Sequence, residues 1–159
     1  MKGDPKVLSL LGDALTAELT AISQYFVHAE MCENFGYEAL EGTIRKEAMD
    51  EMKHAEILIE RILFLEGRPM MSRLFDIKIG SKVDEMLAND LKLEKDAIDR
   101  LNKAIGICAE VGDNGSFDLL QKILHDEERH LDFIETQTSL IDQIGLANYL
   151  GQQLGGGKG

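Results

Sequence analysis

The feature that most constrains this chain is a repeated pattern, in which one glutamate is followed 33 residues later by a Glu-x-x-His pair. The pattern occurs twice, 76 residues apart, as Glu18, Glu51 and His54 and then as Glu94, Glu127 and His130. Residues three apart on a helix lie on one face, so each pair can bind one metal ion. The repeat therefore predicts two similar halves, each made of two helices.

Four long stretches carry apolar residues at steps of three and four, the period of an α-helix packed against a core. Asp4 followed by Pro5 is typical of a helix start, and Gly36 and Gly112 are typical of helix ends. The predicted helices cover about residues 5–35, 38–65, 84–111 and 116–144, with a short fifth helix within 146–154. Because β-strand patterns are nearly absent, the sequence predicts an all-α four-helix bundle.

The connection between the second and third helices is unusually long. It has about 16 residues, where helical bundles commonly use two to eight. Fully extended, it could span about 50 Å, which exceeds the length of about 42 Å expected for a helix of 28 residues. The connection can therefore act as a crossover that carries the chain back to the other end of the bundle, and the second and third helices would then run parallel.

The repeated residues are predicted to lie at one level of the bundle. Glu18 lies 18 residues before Gly36 and His54 lies 18 after it, and Glu94 and His130 are placed in the same way around Gly112. Equal rise along neighbouring helices brings these side chains together near the middle, on faces that are otherwise apolar. Four carboxylates and two imidazoles are therefore expected to converge.

Buried carboxylates at such a density need cations, because desolvation and repulsion cost several kcal/mol per charge. Oxygen-rich ligation with one imidazole per ion suits two iron or manganese ions, whereas structural zinc favours thiolates and calcium does not favour histidine. The two remaining histidines, His28 and His125, have no glutamate three residues earlier and are expected to be ordinary helix residues.

The chain is acidic, with a formal net charge of −12 and a pI near 4.7. This charge argues against nucleic acid as a partner, and it either attracts cations or forms a solvated surface. No apolar stretch is long enough for a membrane span or an export signal, so the cytoplasm is the expected location.

Cys32 and Cys108 lie within helical patterns and are expected to be buried as small hydrophobic residues. We expect one domain over 1–154 and a flexible glycine-rich tail over 155–159.

Nearly the whole chain resembles the bacterioferritins, the haem-containing branch of the ferritin-like family. The similar stretches are MKGD at residues 1–4, DEMKHA at 50–55, RILFLEG at 61–67 and FIETQ at 133–137. The resemblance implies a ferritin-like fold in which Glu18 and Glu94 are terminal ligands and Glu51 and Glu127 bridge two iron ions. It also implies that His54 and His130 each complete one ion.

The resemblance further implies oxidation of ferrous iron by oxygen or peroxide and storage of the ferric product in a hollow 24-subunit shell. It implies haem b shared between two subunits, a shell made of this chain alone or mixed with a related subunit, and a small ferredoxin as a partner for iron release.

Met52 is predicted to project sideways from the bundle, because it is one residue from the inward-facing Glu51. It lies in a second apolar stripe of the helix, and the first helix has a similar stripe. Taken alone, this pattern favours packing between two subunits, for which methionine is a good filler. The resemblance implies instead that Met52 from each of two subunits ligates one haem iron.

Four further residues lie near the predicted centre. Tyr25, two turns from Glu18, could supply an electron or a hydrogen bond, although packing explains a buried tyrosine equally well. Glu47 and Asp50 could pass ions between the centre and the shell cavity, or they could simply be solvated. Lys46 occupies a position where bacterioferritins with an additional iron site tend to have histidine, which argues against such a site here.

The sequence is compatible with three functions. The first is an iron-storage ferroxidase, and the second is a peroxide-detoxifying di-iron oxidase without storage. Proteins of the second kind usually add a rubredoxin-like domain with four cysteines, which this chain lacks. The third is a structural shell subunit that binds haem for electron transfer, and the complete set of six ligands argues against it.

Overall fold

The computed structural model describes residues 1–155, in which the only regular elements are five helices. The last residues of the predicted tail, 156–159, lie outside the described part, while Gly155 lies in an exposed turn. The all-α bundle with a long crossover is confirmed. Its helices are α1 (Pro5–Phe35), α2 (Glu38–Phe64), α3 (Val83–Val111), α4 (Asn114–Ile144) and α5 (Leu146–Gly151).

Local capping explains where the long helices begin and end. The Asp4 carboxylate accepts a hydrogen bond from the Lys6 N–H at 2.7 Å, and Pro5 occupies the first turn of α1. Gly36 and Gly112 adopt left-handed φ angles of 89° and 76° at the ends of α1 and α3, where glycine has no steric penalty. The fourth helix starts two residues earlier than predicted, at Asn114. The preceding Asp113 caps it by accepting a hydrogen bond from the Ser116 N–H.

The interior consists of two apolar clusters, one at each end of the bundle. The first cluster takes residues from the start of α1, the end of α2, the end of α3 and the start of α4. The second takes residues from the end of α1, the starts of α2 and α3, and the later part of α4. Since α2 and α3 both run from the second cluster to the first, they are parallel, as the crossover length predicts. The middle level between the clusters is left for polar side chains.

Three polar side chains of α1 fix the crossover along the bundle. Thr20, Gln24 and His28 are one helical turn apart, and each accepts a backbone hydrogen bond from the crossover. The donors are the N–H groups of Phe75, Lys78 and Gly80, at 2.9, 2.9 and 3.0 Å respectively. These contacts satisfy crossover amides that have no partner in a helix or strand. The crossover therefore runs in the same direction as α1.

His28 also connects the crossover to α3, which the sequence did not indicate. Its Nε2 accepts from the Gly80 N–H, so its Nδ1 carries the proton and donates to Asp90 Oδ1 at 2.9 Å. Both side chains are buried, and Gln24 donates to the same carboxylate oxygen at 2.8 Å. Gly80 itself has no room for a side chain, because a Cβ atom would lie 2.4 Å from the Met86 nitrogen.

We expect replacement of His28 with leucine to lower the free energy of unfolding by about 1 to 3 kcal/mol, because the buried Gly80 N–H loses its acceptor and the Asp90 carboxylate loses one of its two donors. The measurement is the denaturation midpoint of the metal-free protein. His125→Leu is the matched control, since His125 is exposed on α4 and should change the midpoint little. Equal midpoints for the two variants would contradict a structural role for His28.

No helix in the described part of the chain is both long and apolar enough to cross a membrane.

Cys32 and Cys108 are buried and free, and burial raises the pKa of the Cys32 thiol to about 12. The expectation that both are small core residues is therefore confirmed.

Candidate metal centre

The six repeated residues lie together at the middle level of the bundle, between the two apolar clusters. Each is between 1% and 5% exposed, although all six are ionisable. The helix α1 contributes one of them, α3 contributes one, and α2 and α4 contribute a Glu-x-x-His pair each. They are Glu18, Glu51, His54, Glu94, Glu127 and His130.

These side chains form two overlapping groups of four. The first group is Glu18, Glu51, His54 and Glu127, and the second is Glu51, Glu94, Glu127 and His130. Within each group the possible ligand atoms all lie within 4.8 Å of one another. Because Glu51 and Glu127 belong to both groups, the arrangement suits two adjacent ions that share two carboxylates.

The atoms that face the interior of the cluster have no hydrogen-bond partner. They are one oxygen from each of the four glutamates, and Nδ1 of His54 and His130. His54 Nδ1 lies 3.2 Å from Glu127 Oε1, and His130 Nδ1 lies 3.3 Å from Glu51 Oε1, without hydrogen-bond alignment. Six buried and unsatisfied polar atoms facing one space are costly unless a cation binds them. The residues present therefore fit a pair of metal ions.

The electrostatics of the metal-free cluster also indicate a cation site. Burial, and then repulsion from neighbouring carboxylates, raises the carboxyl pKa to about 7 for Glu18, Glu51 and Glu127 and to about 8 for Glu94. Burial alone would lower the pKa of His130, but the adjacent Glu51 and Glu94 carboxylates raise it to about 12. The pKa of His54 is likewise raised, since Glu127, Glu18 and Glu51 outweigh its burial. Protons thus occupy the cluster when metal does not.

Metal binding is therefore expected to release protons and to strengthen as the pH rises. Carboxyl groups with pKa values of about 7 and 8 keep at pH 6 the protons that a divalent ion must displace, and they lose those protons as the pH rises through these values. The measurement is calorimetric titration with Zn²⁺ at several pH values, in buffers of different ionisation enthalpy. A pH-independent affinity without proton release would contradict binding at this cluster.

In each histidine of the cluster, the ring nitrogen that points away from the other ligands contacts an aspartate on the opposite helix. His54 Nε2 of α2 lies 2.7 Å from Asp126 Oδ2 of α4, and His130 Nε2 of α4 lies 3.1 Å from Asp50 Oδ2 of α2. A carboxylate partner orients an imidazole and turns its other nitrogen towards a metal ion. Sequence reasoning did not identify Asp126, and it treated Asp50 only as a possible ion relay. The available signal was an aspartate directly before the glutamate of both pairs.

Tyr25 lies in the centre as well. Its side chain is fully buried, and its hydroxyl donates a hydrogen bond to Glu94 Oε1. Burial, and then the charge of Glu94, raises the pKa of Tyr25 well above its usual value. The phenol therefore stays protonated, as a donor to one member of the cluster.

The other residues singled out in the sequence lie outside the cluster. Glu47 is buried next to it, and burial raises the pKa of Glu47 to about 8. Asp50 is partly exposed behind His130, and Lys46 is exposed. Met52 is 43% exposed on the outer face of α2, while its neighbours Ala48 and Ala55 are buried.

The fold and this centre together define a class of protein: a four-helix bundle with a carboxylate-rich, two-histidine cluster in its core. The Ferritin-like domain family model matches residues 8–144. A bacterioferritin of Mycolicibacterium paratuberculosis is 45% identical over 152 residues, which cover 96% of each chain. One of Streptomyces coelicolor is 45% identical over 150 residues, covering 94% of this chain and 90% of the relative. The bacterioferritin of Rhodobacter capsulatus is 46% identical over 145 residues, covering 91% and 90%. The chain therefore belongs to the ferritin-like family and, within it, to the bacterioferritins.

Proposed function

We propose that this protein oxidises ferrous iron at the buried cluster and stores the ferric product. The observation that carries the proposal is the pair of four-residue groups that share Glu51 and Glu127 and whose inward atoms lack partners. Membership of the bacterioferritin family supports iron as the ion. Each ferrous ion is a substrate that gives up one electron to oxygen or peroxide.

The residues of the chain have separate roles in this proposal. Glu18 and Glu94 each bind one ion, Glu51 and Glu127 bind both, and His54 and His130 each supply one imidazole nitrogen. The raised carboxyl pKa values let the cluster exchange protons for incoming ferrous ions near neutral pH. The apolar clusters on either side lower the local dielectric constant, so the charges of the ligands act more strongly on the iron than they would in water.

Tyr25 and two acidic residues are proposed to assist. Tyr25 donates a hydrogen bond to Glu94 and lies where it can give an electron to the centre. Glu47 is buried beside the cluster, and Asp50 contacts His130 and is partly exposed to solvent. We propose that these two acids pass iron from the centre towards the mineral. Lys46 next to them disfavours a further iron site on the cavity wall.

Storage of the ferric product requires that subunits assemble into a hollow shell. Exposed apolar surface on the single subunit supports such an assembly. The crossover exposes five large apolar side chains, each between 40% and 57% exposed: Met70, Met71, Leu74, Ile77 and Ile79. So much apolar surface on one segment is typical of a protein interface. We propose that paired subunits cover this surface and that the pairs build a 24-subunit shell.

Haem is proposed to bind between paired subunits, with Met52 as the axial ligand from each. The side chain can reach a partner subunit because it is 43% exposed outside the bundle, whereas Ala48 and Ala55 on either side of it are buried in the core. Bound in this way, haem would supply electron transfer to the shell, and thioether ligation raises its reduction potential. A subunit that served only haem binding would not need the six-residue cluster, so we favour the ferroxidase.

The experiment that tests the proposal is stopped-flow mixing of the apoprotein with ferrous iron and then with oxygen or peroxide. We expect a fast rise in ferric absorbance whose amplitude saturates at two ferrous ions per subunit, one for each group. Oxidation no faster than that of free ferrous iron in buffer would contradict it.

A further inference from the structure

The two halves of the cluster differ in the ion pairs made by the aspartates that contact their histidines. Asp126, which contacts His54, also forms an ion pair with Arg129 one turn further along α4. The equivalent residue of the other half is Lys53, three residues after Asp50. Within residues 1–155, Lys53 forms no ion pair with Asp50, whose only ionic partner is His130. Among the described residues, Asp126 therefore forms ion pairs with both a histidine and an arginine, whereas Asp50 forms one only with a histidine.

This difference should affect metal binding through the imidazoles. A histidine that donates its outer N–H to an anionic carboxylate becomes a stronger metal ligand through its other nitrogen. A guanidinium on the same carboxylate withdraws part of that charge, and its own positive charge opposes a cation nearby. His54, backed by the pair of Asp126 and Arg129, should therefore be a weaker ligand than His130, backed by Asp50 alone.

We propose that Arg129, acting through Asp126, lowers the affinity of the His54 group for a divalent ion, so that the His130 group fills first. Arg129 is a positioning residue, since it does not touch the ligand atoms of either group. The inference rests on the proposed function, because it assumes that the six residues bind two ions. Because the two groups contain the same types of ligand, the ligands alone would not make one group bind an ion before the other.

The size of the effect follows from exposure. The Arg129 side chain is 72% exposed and that of Asp126 is 33% exposed. A surface depression lined by His54, Asp118 and Asp126, among others, brings solvent to this side of the centre. Exposed ion pairs are weak and are screened by salt, so Arg129 should change the affinity about fivefold at low ionic strength and less in high salt.

The test is calorimetric titration of the apoprotein with Co²⁺, together with the visible absorption of the bound ion. The unmodified protein should bind two ions per subunit in two steps. Glu94→Ala should remove the tighter step, and Glu18→Ala the weaker one, because each residue belongs to one group only. Arg129→Gln should tighten the weaker step about fivefold and leave the other step unchanged.

Two further variants serve as controls. Lys53→Gln removes a positive charge at the equivalent position of the other half and should leave the ratio of the two affinities unchanged. Arg129→Lys retains the charge and should behave like the unmodified protein. If Arg129→Gln changed neither step or changed both equally, or if Glu94→Ala removed the weaker step, the inference would be wrong.

Failure of the proposed function would look different. A protein that binds no Co²⁺, or that keeps both steps after Glu51→Ala, would contradict a shared two-ion centre. Suppose instead that both binding steps disappear in Glu51→Ala, but that the ratio of the two Co²⁺ affinities is the same in the unmodified protein and in Arg129→Gln. That result would contradict only the inference about binding order.

Discussion

Replacing Glu51 with alanine is expected to reduce the fast oxidation of ferrous iron by about a hundredfold or more. Loss of a residue that merely supports a metal ligand costs 10- to 100-fold, and Glu51 is a member of both four-residue groups. Its Oε1 lies 3.4 Å from His54 Nδ1 and 3.3 Å from His130 Nδ1, at the centre of the cluster. Removing it leaves each group incomplete, so neither ion should bind normally.

The rate is measured by stopped-flow absorbance at a fixed ratio of ferrous iron to subunit. Glu128→Ala is the matched control, since Glu128 follows Glu127 in the chain but is exposed on the outside of α4. His130→Ala should have an intermediate effect, because His130 belongs to one group only. Normal rates in both Glu51→Ala and His130→Ala would show that oxidation occurs elsewhere.

Replacing Met52 with leucine is expected to abolish haem binding while leaving iron oxidation unchanged. Leucine keeps the volume and the apolar character of the side chain but lacks the sulfur that would ligate the haem iron. Met52 is 43% exposed and lies outside the buried cluster, so the substitution should not disturb the centre or the core. The measurement is the Soret absorbance per subunit after reconstitution with haem.

Met49→Leu is the matched control for this change, because Met49 is on the same helix and is 45% exposed. It should keep the Soret band of the unmodified protein. A Met52→Leu protein with an unchanged band would rule out Met52 as the ligand, and packing between subunits would then explain the exposed methionine.

The apolar period of the sequence was sufficient to predict the helices, since each long helix has one face that must be buried. The crossover length predicted that α2 and α3 are parallel, and the contacts of the crossover with α1 agree. The convergence of Glu18 and His54 could be predicted because equal distances from Gly36 imply equal heights along antiparallel helices. Each of these predictions depends on local patterns or on counting along the chain.

Contacts made by residues outside the repeated pattern could not be predicted in this way. His28 was expected to be an ordinary helix residue, but its partners are Gly80 in the crossover and Asp90 on α3. Asp126 precedes Glu127 as Asp50 precedes Glu51, but this repeat alone does not show that Asp126 contacts His54 on the opposite helix. For Met52, apolar neighbours predict a covered surface but do not identify what covers it, so its role in haem binding depends on the resemblance to bacterioferritins.

The central claim is that the six clustered residues bind two iron ions in one subunit. The most direct measurement is anomalous X-ray scattering at the iron edge, from crystals of the metal-free protein soaked in ferrous iron without oxidant. We expect two iron peaks per subunit, one in contact with His54 and one in contact with His130, with Glu51 and Glu127 in contact with both. A cluster without iron, or with one ion that contacts neither histidine, would contradict the account.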